Sequence, residues 1–193
     1  SSLGEAKGDL ENIDITISID KEKKTLTISD KGVGMTEEEV DKYINQVAFS
    51  SAEDFVEKYK DANIIGHFGL GFYSAFMVSD KVEIYTKSYK DEPAVYWSCD
   101  GSPEFELYQI EKEDRGTRIV LHINEESKEF LETDRIRHIL EKFCRFLPVP
   151  IFFEDKQINN PKPIWIKKQA ELTDEDYKKF YKELYPYGEP PLF

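Results

Sequence analysis

Asp30-Lys31-Gly32-Val33-Gly34-Met35, followed by Gly66-His67-Phe68-Gly69-Leu70-Gly71-Phe72-Tyr73-Ser74, is the stretch on which the reading of this chain turns. The first run places Asp-x-Gly-x-Gly at the end of a strand pattern. The second is a glycine-rich loop entering an apolar segment, Phe72 to Val78, that reads as a short buried helix. Either pattern alone is weak, since Asp-Lys-Gly is ordinary turn chemistry and glycines also serve close packing. Their order, with Arg115-Gly116-Thr117 opening a later strand, makes them informative.

Outward from these motifs the elements follow from periodicity. Ile13, Ile15, Ile17 and Ile19 alternate with polar residues, and Thr25 to Ser29 repeats the pattern after a Lys-rich turn, which predicts a hairpin. Thr36 and Glu39 form a capping-box pattern that predicts a helix to about Gln46, with a second over Ala52 to Tyr59. Strands are predicted at Lys81 to Lys87, Ala94 to Cys99, Glu104 to Gln109 and Thr117 to Ile123. Their short turns leave no room for helical crossovers, so they pair antiparallel. Asp134 to Phe146 is amphipathic, with Ile136, Ile139, Leu140, Phe143 and Phe146 on one side, and Ile151 to Phe153 is a last strand. This is an α+β chain.

Three units are expected: residues 1–155, a polar linker at 156–163, and residues 164–193 opening a further domain that the chain does not complete. In the last unit Thr173 and Asp176 predict a capped helix to Leu184.

The chemistry of the motifs converges on an adenine nucleotide. Asp30 offers a carboxylate to an exocyclic amine, while Gly32 and Gly34 let a ligand approach the backbone. The Gly66 to Phe72 run can turn successive N–H groups toward phosphates, helped by the helix start that follows. It is not a Walker loop, because no Lys-Ser/Thr follows. Thr117 can share a water with the adenine and Asp30, although as a β-branched strand residue it needs no such role. The intervening stretch from Thr36 to Ile65 has the length of a lid.

Composition narrows the partners. Hydrophobic content of 39% and aromatic content of 13% are those of a globular chain. A net charge of −13 argues against nucleic acid and against anionic membranes. It also means that donors for a polyanionic nucleotide must be local. The start lacks the basic and apolar regions of a signal peptide, and Leu147 to Phe153 is too short to span a bilayer. Cys99 and Cys144 read as reduced thiols of a cytoplasmic protein, and the three histidines show no metal-ligand spacing, so no metal site is expected from protein side chains.

These motifs resemble the GHKL ATP-binding fold shared by gyrase, MutL, histidine kinases and the ninety-kilodalton heat-shock chaperones. The run from Gly66 to Phe76, and Pro163-Ile164-Trp165 after the linker, resemble the chaperones in particular. The resemblance implies a two-layer sandwich, a mainly antiparallel sheet with helices on one face. It implies that Asp30 binds the adenine amine, that Gly34, Met35 and Thr117 line the base pocket, and that Gly69, Leu70, Gly71 and Phe72 hold phosphates. It further implies ATP or ADP with Mg²⁺, a homodimeric clamp, a role in the stress response and unfolded client proteins as partners. The alternatives are a non-catalytic binding module or another GHKL ATPase.

Three departures from the family pattern stand out. The helix carrying the family's catalytic Glu and Mg²⁺-binding Asn would precede Ser1. No catalytic residue is therefore assigned, and this stretch alone is not expected to hydrolyse ATP. The lid reads Ala48-Phe49-Ser50-Ser51-Ala52 where relatives carry Ala-Lys-Ser-Gly-Thr, and Tyr43 stands near a position where many carry Asn. Without that upstream helix, an uncovered apolar face is expected around the Ile13–Ile19 strand, and with it self-association or a partner segment filling the gap.

Overall fold

The computed structural model describes residues 13–45, 72–166, 172–185 and 188. The alternating segments form strands β1 (Ile15–Asp20), β2 (Thr25–Asp30), β3 (Ser79–Lys87), β4 (Ala94–Cys99), β5 (Phe105–Ile110), β6 (Gly116–Ile123), β7 (Ile151–Phe153) and β8 (Lys156–Gln157). They make one sheet in the order β5-β4-β3-β6-β2-β1-β7-β8. Every pairing is antiparallel except β1 with β7. A mainly antiparallel sheet with a few helices is the α+β architecture expected from the sequence.

Register turns the strand patterns into three cross-sheet rows on one face. Ile19, Leu26, Leu121, Val82, Cys99 and Phe105 form the first. Ile17, Ile28, Ile119, Ile84, Trp97 and Leu107 form the second. Both are apolar, and Ile17, Leu26, Val82, Ile84, Trp97 and Leu121 are buried in the main core. The third row runs Ile15, Asp30, Thr117, Thr86, Val95 and Gln109, so its centre is polar.

Helix α1 (Glu37–Val40) starts on the expected capping box: Thr36 Oγ1 accepts from Glu39 N–H and the Glu39 carboxylate accepts from Thr36 N–H. It is one turn long rather than extending to about Gln46, because the backbone widens into a π-turn over Asp41–Asn45. The turn is anchored by Val40, fully buried, and by Asn45, whose Oδ1 accepts from Trp97 Nε1 at 2.9 Å. The second helix predicted at Ala52 to Tyr59 lies outside the described residues. Phe72–Met77 is a 3-10 helix, and Phe72 stacks edge-on against Trp97 and Phe76.

Helix α2 (Thr133–Phe143) buries Ile136 and Leu140, whereas Phe143 is exposed beneath Lys142. The apolar stripe predicted to reach Phe146 therefore ends early. Phe146 instead meets Trp165 and Phe180.

β1 is an interior strand: it lies between β2 and β7 with Ile17 buried, because residues 150–153 return to pair with it in parallel.

Within residues 156–163, Asn159 and Pro163 are buried while Lys156, Gln157 and Lys162 are exposed. A turn with Glu154 and Asp155 in the left-handed region leads into β8. Asn159, buried, accepts from Ile151 N–H and donates to the carbonyls of Leu147 and Val149. Beyond it, α3 (Asp174–Leu184) begins on the predicted Thr173–Asp176 capping box and buries no residue.

Candidate functional site

The polar centre of the third row is the candidate site. Asp30 ends β2 directly opposite Thr117 of β6, and Thr117 lies opposite Thr86 of β3. The Asp30 Oδ1 accepts from Gly32 N–H at 2.8 Å, which folds the Asp-x-Gly turn back on its own carboxylate. Burial raises the Asp30 carboxyl above its ordinary range, against the backbone N–H groups of Gly32 and Thr117 and the charge of Lys112. A half-buried carboxylate held at a strand end is a strong acceptor with little water to compete.

The two threonines form a hydroxyl relay. Thr86 Oγ1 accepts from Met35 N–H at 2.9 Å and lies 3.0 Å from Thr117 Oγ1. A hydroxyl has one proton to give. With Thr86 donating to Thr117, the Thr117 proton is free for a ligand or a water. Thr86 is fully buried and was missed by sequence reasoning. Its signal was there: in Val82, Ile84, Thr86 it is the polar member of a core-facing alternation.

Gly34 explains the second glycine of the motif. Its φ is +61°, and a Cβ there would fall 1.8 Å from the Lys87 carbonyl oxygen. The 30–35 loop is thus pressed against the end of β3, with Tyr89 N–H donating to the Val33 carbonyl at 2.8 Å and Met35 bound to Thr86. Gly116, at φ +110°, plays the same part opposite, where a Cβ would meet the Asp30 carbonyl at 2.1 Å.

Of the residues singled out in the sequence, Asp30, Gly32, Gly34, Met35 and Thr117 come together here. The Phe72 side chain packs into the core against Trp97. Gly69, Leu70 and Gly71, with the lid residues 48–52, lie outside the described residues. Tyr43 is on the π-turn and partly exposed. Among the described residues no group of His, Cys, Asp and Glu is arranged to hold a metal ion, and no helix is long and apolar enough to cross a membrane.

Residues 6–129 match the family model of histidine kinase-, DNA gyrase B-, and HSP90-like ATPases, and residues 152–192 match that of Hsp90 protein. Among curated proteins, chaperone protein HtpG of Porphyromonas gingivalis is 56% identical over all of this chain, which covers 31% of that relative. HtpG of Bacteroides fragilis is 59% identical with the same coverage. HtpG of Escherichia coli is 39% identical over 97% of the chain and 33% of the relative. The chain thus spans about a third of the length of the curated relatives it matches. With more than half its length under one family model, and the sheet that the strand patterns predicted, the chain belongs to the histidine kinase-, DNA gyrase B- and HSP90-like ATPases.

Proposed function

We propose that this chain is the nucleotide-binding part of an ATP-dependent chaperone that assists protein folding. One observation carries the reading: a face that is otherwise apolar ends in Asp30, Thr117 and Thr86, linked in one polar row beside the glycine turn. An adenine ring suits that mixture. Its flat body takes the apolar rows and its exocyclic amine donates to Asp30, while Thr117 serves a ring nitrogen directly or through water. Gly34 and Met35 close one side. Gly69, Leu70, Gly71 and the Phe72 backbone hold the phosphates, with Mg²⁺ as the counter-charge.

In this reading the complete protein hydrolyses ATP, works as a cytoplasmic homodimer in the stress response and acts on unfolded client proteins. Residues 1–155 form its nucleotide domain, 156–163 connect, and 164–193 begin the next domain. The match of residues 152–192 to the Hsp90 model weighs against a histidine kinase or MutL-like enzyme.

Calorimetric titration of Mg·ADP into the full-length protein tests it. Saturable binding that Asp30→Asn abolishes is the expected result. Equal binding by both proteins would remove Asp30 from the site, and no binding by either would remove the nucleotide.

A further inference from the structure

The opposite face of the sheet carries a row of its own. Ser29, Arg118, Tyr85, Tyr96 and Tyr108 are successive cross-strand partners. The Arg118 guanidinium lies 4.2 Å from the Tyr85 ring centroid, Tyr85 is 5.0 Å from Tyr96, and Tyr96 is 4.8 Å from Tyr108. At the Arg118 end of this ladder the loop between β5 and β6 borders a half-open cavity of about 510 Å³. Ser29 and Tyr85 contribute to its wall together with Arg118, Lys112, Arg115 and Lys31.

The charge there is more evenly balanced than over the rest of the molecule. Four lining residues are basic and three acidic, in a chain of net charge −13. Of the basic residues Lys31 is paired with Asp14, and Asp30, Glu111 and Asp114 are the competing anions. Lys112 Nζ donates only to the backbone carbonyl of Asp114, not to a carboxylate. Arg118 has its guanidinium face on Tyr85 and no carboxylate partner among the described residues. Stacking occupies the face of a guanidinium and leaves its in-plane N–H groups for an oxyanion, the geometry in which arginine takes phosphate.

We propose that this cavity, which borders Asp30 and Thr117 at the end of the sheet, is an anion site beside the nucleotide pocket for a small phosphate-bearing ligand held by Arg118 and Lys112. The local electrostatics agree. Burial pushes the Lys112 ammonium below its ordinary value, and the nearby charges of Arg118 and Lys87 push the same way, against Asp114 and Asp30. A bound anion relieves that crowding. A volume within the range of small-molecule sites sets the size of the ligand. The flanking Glu111 and Asp114 disfavour a long polyanion, which would run past the basic residues onto them.

The test is calorimetric titration of inorganic pyrophosphate into the full-length protein with its nucleotide site saturated by ADP. Binding at one site per chain is expected, weakened about tenfold or more in Arg118→Ala and in Lys112→Ala and partly restored in Arg118→Lys. Lys112→Ala removes a partly exposed side chain and keeps the test valid should Arg118→Ala not fold. Absence of binding once the nucleotide site is filled would overturn the proposal. So would binding indifferent to both substitutions, or binding of an oligoglutamate peptide without binding of pyrophosphate.

Discussion

Asp30 and Glu83 stand on opposite faces of this sheet, and the fold shifts their carboxyls in opposite directions. Asp30, on the core face, is raised by burial, because the two backbone N–H groups and distant Lys112 do not make up for lost water. Glu83, on the other face, would also be raised by burial. Bonds from His122 Nε2 and Tyr96 Oη, both 2.7 Å, together with the charge of Lys81, outweigh it and hold Glu83 below its ordinary value. The difference separates two uses of a buried charge. Glu83 has partners within the fold and stabilises it. Asp30 keeps acceptor capacity unspent and costs the fold something until a ligand fills it.

The strongest way to break the comparison is to attack the core face itself. Trp97→Ala deletes a ring that is buried, packed on Phe72 and bonded to Asn45, so unfolding by urea should show a loss of about 3–5 kcal/mol. A loss as small as that expected at an exposed aromatic would mean that the apolar rows are not the main source of stability. Next comes the polar row. Thr86→Val keeps shape but leaves Met35 N–H without its acceptor and Thr117 without its neighbour, at a cost of about 1–3 kcal/mol. It should also weaken ADP binding, and unchanged affinity would show that Thr117 does not need Thr86 to present its hydroxyl.

The two carboxylates then predict opposite pH profiles. Asp30, being raised, contributes stability below its ordinary value of 3.8 and loses it as pH rises through the folded value. The melting temperature of Asp30→Asn relative to the parent should therefore climb between acid and neutral pH, while nucleotide binding is lost. Glu83, being lowered, contributes above its ordinary value of 4.5 and loses that contribution as pH falls through the folded value. Glu83→Gln should therefore be less stable than the parent at neutral pH and approach it in acid. Profiles that run in the same direction would refute the contrast. The smallest effect is expected at Tyr108→Ala, at the exposed end of the aromatic ladder, below about 1 kcal/mol by urea unfolding.

Much of this was legible in the sequence, for reasons that are local. The alternation at Ile15, Ile17 and Ile19 and at Val82 and Ile84 is a two-residue signal that any half-buried strand must carry, and Thr36 with Glu39 caps within one turn. Gly34 was readable because a left-handed residue has few substitutes. The misses are long-range. Thr86 matters because register sets it beside Thr117 and against Met35, 51 residues away in the chain, and no local pattern states that. The interior place of β1 depends on a parallel return by residues 151–153 from the far end of the domain. The π-turn that cuts α1 short answers to Trp97, 52 residues from Asn45. The base end of the site was thus visible as a turn, and its hydroxyl relay only as tertiary structure.

Asn159 has a mechanical consequence. Its amide closes three backbone groups, from Leu147, Val149 and Ile151, within one side chain. Arg145 and Asn160 meanwhile reach Glu183 on α3, and Phe146 grips Trp165 and Phe180. A pull applied through the C-terminal helix is therefore not absorbed by slack chain. It loads this clasp, and through β7 it reaches β1, the neighbour of the strand that ends in Asp30. The short clasp makes the sheet a lever whose far end is the Asp30 carboxylate.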